Sequence, residues 1–291
     1  MIEQRLIDAY ADRLRGDKNA RQQYLAIITA WGKHVKGAPD RTSIDKRIRE
    51  MESAGYAPGT VLHHFTQIRS FHNCNKLEWP YRRGEGPKVR ERDVIKLALN
   101  DDLIERMVKV ARRGLVSPVD TANLALSTVY GMRRGEIGGI IATDIKLPER
   151  MLYVETIHNG RERDHVIPEA IAPYIEAALP HIKRPRSTKT VTRSFYRIER
   201  ATGLEHTLDL GWHSIRRSLD TRLLENTAIS ESSAQNFMRW KAPGANMARR
   251  YARGNTFVSG AGATITQSIG DNEIDLQIFA VHPFLKFWEA E

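Results

Sequence analysis

A single cysteine, Cys74, among 291 residues excludes an internal disulfide framework and fits a reducing compartment. No apolar run approaches the ~20 residues that a membrane helix needs, so no membrane partner is expected. The first residues, Met1-Ile2-Glu3-Gln4-Arg5, lack the apolar core of a signal peptide. A soluble, intracellular protein is the resulting expectation. Metal-ligand spacing is also missing: neither His63-His64 nor His72-Asn73-Cys74 has the separation of a zinc site. There is no P-loop and no carboxylate cluster, so no metal and no nucleotide cofactor are expected.

Positive charge is what the chain has in excess. It carries 45 Lys+Arg against 35 Asp+Glu, a formal net charge of +10. That balance favours a polyanionic partner, with nucleic acid as the first candidate, although an ordinary basic protein has the same signature. The length suits two domains.

Residues 3–15 read as a short polar helix. Tyr24, Ile27, Ile28, Trp31 and Val35 then fall on one stripe of a 3.6-residue helix. Ile44, Ile48 and Met51 form a third stripe, with Thr42 or Ser43 placed to cap its start. Val61, Phe65, Ile68 and Phe71 form a fourth, after Ala57-Pro58-Gly59-Thr60. Four amphipathic helices with short connections predict a compact helical domain over residues 1–78. Its polar faces carry Lys33, Lys36, Arg41, Lys46 and Arg69; contact with a DNA backbone and a solvated surface account for them equally well. Residues 79–93 are rich in Pro, Gly and alternating charge, which marks a linker. Arg82, Arg83, Lys88 and Arg90 make it a cationic strap suited to phosphate contacts.

Helices are expected over 101–113 and from 119 to about 132, the second running into Gly131-Met132-Arg133-Arg134-Gly135-Glu136. Two extended runs around Asn159-Gly160, residues 151–157 and 161–168, predict a β-hairpin. Its tip and second strand carry Arg161 and Arg163, which could reach into a groove. Further helices are expected at 170–179 and 195–200. In a helix starting near Trp212, Ile215, Leu219 and Leu223 face inward. His213 and Arg216 lie one turn apart on another face, a pairing that is common by chance. Trp240 follows among basic residues, and Tyr251 sits between arginines. In the tail, Ile274, Leu276 and Ile278 alternate as in a strand.

Together these pieces resemble the tyrosine recombinase (phage integrase) family. The likeness rests on Gly131-Met132-Arg133-Arg134-Gly135-Glu136, on His213-Ser214-Ile215-Arg216, and on Trp240 preceding Tyr251. Their order matches the family, and the similarity spans about residues 20–255. It implies a mainly α fold with a small antiparallel β-hairpin or sheet: an α+β catalytic domain over 94–270 behind a helical core-binding domain. The remaining residues, 271–291, form a C-terminal tail that either covers its own core or docks in trans on a neighbouring protomer.

The resemblance also implies an activity. The chain would be a site-specific recombinase or integrase that cuts and rejoins DNA through a 3′-phosphotyrosine intermediate. Tyr251 would be the nucleophile, Arg133 and Arg216 the phosphate clamp, His213 the acceptor of the Tyr251 proton or a phosphate ligand, Trp240 an indole donor to a phosphate oxygen, and Glu136 an orienting group for Arg133 or a neighbouring backbone segment. Where the family has a hairpin Lys as proton donor, this chain has His158. A second departure is the interval from Trp240 to Tyr251, slightly longer than the family's. Implied partners are a double-stranded DNA site, a homotetramer on DNA, and accessory DNA-bending proteins. The setting would be the nucleoid or an infected host cell. Two rivals remain at this point: relaxation of supercoils in the manner of a type IB topoisomerase, and DNA binding by a relative impaired in catalysis.

Overall fold

A computed structural model describes residues 2–15, 18–89, 97–156, 162–206, 210–240 and 271–289. The chain divides into two compact units, Met1–Ile95 and Lys96–Glu291.

The first unit is built from α1 (Gln4–Arg13), α2 (Lys18–Gly32), α3 (Arg41–Ser53) and α4 (Pro58–Cys74). The expected stripes are its core: Ile28, Trp31, Ile44, Met51, Ile68 and Phe71 are all buried. The α3 N-cap lies two residues before Thr42, the earlier of the two predicted caps. Asp40 is the N-cap, its carboxylate accepting the Ser43 N–H at 2.9 Å, because a carboxylate satisfies an orphan helix N–H and complements the dipole. Pro58 opens α4, where its missing N–H leaves no helical hydrogen bond unmade. Trp79 and Tyr81, at the head of the expected linker, join this unit. Their rings lie 5.1 and 4.9 Å from that of Phe65, and the Tyr81 hydroxyl donates to Asp45 at 2.7 Å. Two large aromatic rings gain more from burial than a strap gains from their exposure. Arg82, Arg83 and Lys88 beyond them are exposed.

In the second unit α6 (Pro118–Tyr130) is buried along nearly its whole length. α5 (Asp101–Arg112), α8 (Ala172–Ala178), α9 (Thr188–Thr202) and α10 (Trp212–Glu225) pack around it. α7 (Arg134–Gly139) and α11 (Glu231–Phe237) are short. The predicted hairpin is present as β2 (Met151–Val154) and β3 (Arg163–Val166), paired antiparallel with Met151 opposite Val166. A further short strand, β1 (Ile145–Lys146), pairs with β2 to complete a three-stranded sheet. Asn159-Gly160 lies outside the described residues. α9 starts within the expected basic loop, where Ser187 Oγ accepts the Thr190 N–H at 3.2 Å.

The tail is a helix, not a strand: α12 (Asp271–Phe279), followed by a 3-10 turn, Leu285–Trp288. Alternation would bury Leu276 with its neighbours. Instead Ile274 and Ile278, four apart, are buried and Leu276 is 60% exposed, the signature of one helix face. The described tail docks in cis. Ile274, Ile278, Phe284, Leu285 and Trp288 belong to the same core as α6 and α10.

Candidate active site

The site starts where α6 stops. Gly131 has φ +57° and terminates the helix in the left-handed conformation, which glycine adopts without penalty. An added Cβ would also overlap the Met238 side chain. The chain then turns so that Arg133 leads into α7. The Glu136 carboxylate grips it twice: Oε2 accepts the Arg133 backbone N–H at 2.8 Å, and Oε1 accepts from its guanidinium at 2.7 Å. The Glu136 side chain is fully buried while that of Arg133 is 24% exposed. The expected orienting contact is therefore present, with the arginine turned toward the surface.

Arg216 comes from α10, whose start is fixed by Trp212 Nε1 donating to the Val191 carbonyl at 2.7 Å. Its guanidinium donates to the Gly131 carbonyl and, at 2.8 Å, to the Met238 carbonyl. That ties α10 to the turn carrying Arg133 and to the segment after α11. Its guanidinium carbon lies 6.0 Å from the centre of the Trp240 ring, within cation–π reach. Burial lowers the Arg216 pKa to about 10, so it remains a cation at neutral pH. His213, one turn earlier, is exposed.

Arg239 is a member that sequence reasoning missed. It has φ +57°, unusual for a residue with a side chain, and it is completely buried. It donates to Glu136 Oε2 at 2.9 Å, to the Tyr130 carbonyl at 3.2 Å and to His165 Nε2 at 2.9 Å. Burial pushes the Glu136 carboxyl up, but the charges of Arg239, Arg216 and Arg133 outweigh it and bring it to about 2. Asp220, one turn beyond Arg216, is buried and neither carboxylate oxygen has a hydrogen-bond partner among the described residues. Burial raises it to about 7 against the pull of Arg216, Arg133 and Arg239. Three guanidiniums thus surround one firmly ionised carboxylate, leaving positive charge to receive an anion.

The structure brings Arg133, Glu136, Arg216 and Trp240 together, with His213 on the same helix as Arg216. It does not leave Arg163 for DNA. That side chain is buried, paired with Asp275 and donating to Asn236 at 3.2 Å. The second strand that was expected to carry it into a groove instead aims it at α12. Arg90, His158, Arg161 and Tyr251 lie outside the described residues. Neither the left-handed backbone of Arg239 nor the pairing of Asp275 with β3 has a sequence signal, since both depend on contacts more than seventy residues apart.

The sequence model of the phage integrase family matches residues 98–256, more than half of the chain. A comparison with curated proteins finds no match. Among solved structures, a lambda integrase (75–356) dimer bound to a COC′ core site is 22% identical. Its TM-score is 0.63, and the alignment covers 89% of this chain and 99% of that one. A lambda integrase tetramer bound to a Holliday junction is 19% identical with a TM-score of 0.63, covering 88% and 79%. The Tn1549 transposon integrase in complex with circular intermediate DNA is 14% identical with a TM-score of 0.64, covering 87% and 96%. At these identities the likeness is one of fold. Among the described residues no helix is long and apolar enough to cross a membrane.

Proposed function

Because this chain belongs to the phage integrase family, we propose that Arg133, Arg216, His213, Trp240 and Tyr251 form its strand-transfer site, with His158 as proton donor. The protein is a tyrosine-type DNA strand transferase, a site-specific recombinase. The observation that carries the residue assignment is the Arg133–Glu136–Arg239–Arg216 cluster, which gathers cations from α7, α10 and the end of α11 at one place.

A phosphodiester resists attack because its charge repels nucleophiles and more charge builds on the non-bridging oxygens in the transition state. Planar guanidiniums oppose both effects. Arg133 faces the surface while Glu136 holds its base. In Arg216 each terminal nitrogen has a second hydrogen beyond the one given to a carbonyl, and those donors are assigned to the phosphate. Tyr251 attacks the phosphorus. Its phenol proton goes to His213, and the bond to the 5′-oxygen breaks with a proton from the His158 imidazolium. The products are a 3′-phosphotyrosyl link and a free 5′-hydroxyl. Attack by a 5′-hydroxyl of another duplex reverses the step and completes exchange.

The partner is a specific double-stranded DNA site, bound by a homotetramer with or without DNA-bending proteins, in the nucleoid or an infected host cell. Relaxation of supercoils and a purely binding role are not favoured.

A nicked suicide substrate containing the protein's own attachment site tests the assignment. A covalent protein–DNA adduct is expected with the native protein and none with Tyr251→Phe. Adduct formation by the Phe variant would show that another residue is the nucleophile.

A further inference from the structure

Within the second unit, one set of buried polar groups forms a continuous chain from the tail to the candidate phosphate clamp. It starts at Asp275 on α12, a fully buried carboxylate. Oδ2 accepts the Val166 N–H at 2.8 Å, and Oδ1 pairs with Arg163. His165 Nδ1 lies 3.1 Å from Oδ2, while its Nε2 lies 2.9 Å from Arg239 Nη1.

An arginine N–H can only donate, so His165 Nε2 must be the acceptor. The single proton of the neutral ring then sits on Nδ1 and is donated to Asp275. Burial supports the neutral form, lowering the His165 pKa to about 4. Rings of Tyr130 and Phe237 at 4.9 and 5.4 Å close the pocket around the imidazole. Arg239 continues the chain to Glu136 Oε2, and Glu136 Oε1 holds the guanidinium of Arg133. Every link up to Glu136 is a directional hydrogen bond between buried groups, where misorientation leaves a polar atom unsatisfied; the last reaches the partly exposed Arg133.

We propose that Asp275 is a positioning residue for strand transfer, acting through His165, Arg239 and Glu136 to fix the direction of the Arg133 guanidinium. The proposal rests on the assignment of Arg133 to the phosphate clamp. Asp275 touches no reacting atom; it selects the His165 tautomer that can receive Arg239. With the other tautomer, two N–H donors face each other at Nε2 and Arg239 is displaced from Glu136. The docked tail and the clamp then share one polar framework, so a fault in the tail helix is felt at Arg133.

The test uses Asp275→Asn in the full-length chain. An asparagine can offer N–H to His165 Nδ1, which removes the bias toward the Nδ1–H form. Arg239→Gly is the second variant, chosen because glycine accepts φ +57° while the guanidinium is lost. Leu276→Ala, on the exposed face of α12, is the control. Two readouts are taken: ¹⁵N NMR of the His165 tautomer and of the Arg133 Nε order parameter without DNA, and single-turnover cleavage of the suicide substrate at saturating protein.

The expected result is an Nδ1–H tautomer in the native protein, its loss in Asp275→Asn, and a more mobile Arg133 in both network variants. Cleavage should slow by up to about a hundredfold, the scale of an ångström-sized misplacement, with DNA affinity unchanged. An unaltered tautomer and an unaltered Arg133 order parameter in Asp275→Asn overturn the proposal. So does an equal loss in Leu276→Ala. If the native protein forms no adduct yet the NMR changes appear, the strand-transfer assignment fails while the positioning of Arg133 by Asp275 stands.

Discussion

Asp220 sits four residues beyond Arg216 on α10, buried and with both oxygens unpaired among the described residues. Burial raises its pKa from 3.8 to about 7. Below pH 3.8 the folded and unfolded states are both protonated and the group has no effect on their balance. Between 3.8 and about 7 the unfolded chain ionises while the folded one keeps its proton. Stability therefore falls with rising pH across that window, by at most about 1.4 kcal/mol per unit. His165 and His282, each lowered to about 4 by burial, slope the opposite way below pH 6.5. The diagnostic quantity is therefore the difference between variant and native protein. Asp220→Asn, which cannot ionise, should gain on the native protein as pH goes from 4.5 to 7.5, and urea unfolding at the two pH values measures it. A gap that is the same at both would mean that Asp220 is already ionised in the folded state at pH 4.5. At this scale the sequence exposed the residues whose chemistry is tied to a motif, Arg133, Glu136 and Arg216. It hid Arg239 and Asp220, because burial and a left-handed backbone are decided by the surrounding fold.

At the scale of elements, the tail is the part of the catalytic unit most easily taken for an appendage. It is attached by more than α12. His282 donates from Nε2 to the Val129 carbonyl at 2.9 Å and accepts the Phe284 and Leu285 N–H groups at Nδ1, at 3.1 and 3.0 Å. Trp288 Nε1 donates to Thr128 Oγ1 at 3.0 Å. These bonds seat Phe284, Leu285 and Trp288 against α6, with Ile274 and Ile278 beside them. A buried side chain of this kind contributes roughly 1.5–3 kcal/mol, so five of them rival the ~5–15 kcal/mol by which a whole domain is stable. Deleting residues 271–291 is accordingly expected to abolish cooperative unfolding of the second unit. Near-ultraviolet circular dichroism during a thermal melt would detect it, and a truncated protein melting within a few degrees of the full chain would contradict it. The period-2 pattern at 274–278 misled because three apolar residues fit a strand face as well as a helix crossed by one exposed side chain. Only the partner surface, α6 and β3, separates the two. The stripes of α2, α3 and α4 were legible because each repeats at three- and four-residue spacing over about two to three turns, which a strand cannot mimic.

At the scale of the whole molecule, composition was the most direct guide, because counting charges requires no knowledge of the fold. The excess of +10 pointed to a polyanion, and the family to which the chain belongs acts on one. Where the charge lies matters more than its sum. Several arginines are paired with fully buried carboxylates: Arg163 with Asp275, Arg239 with Glu136, Arg197 with Asp120 at 2.6 Å. Arg82, Arg83 and Lys88 are exposed instead, beyond the last aromatic residue that packs onto the first unit. If these three each meet a DNA phosphate, each contact releases counterions and adds about 0.9 to the steepness with which log K falls against log salt. Replacing all three with alanine should then flatten the slope by about 2.7, measured by fluorescence anisotropy across a salt series. The loss should be the same for specific and unrelated duplexes, since phosphates carry no base identity. Cleavage of the suicide substrate at saturating protein should be unaffected, because none of the three belongs to the Arg133–Arg216 cluster. An unchanged slope would assign the strap to solvent and move the phosphate contacts to the helical faces that carry Lys33, Lys46 and Arg69.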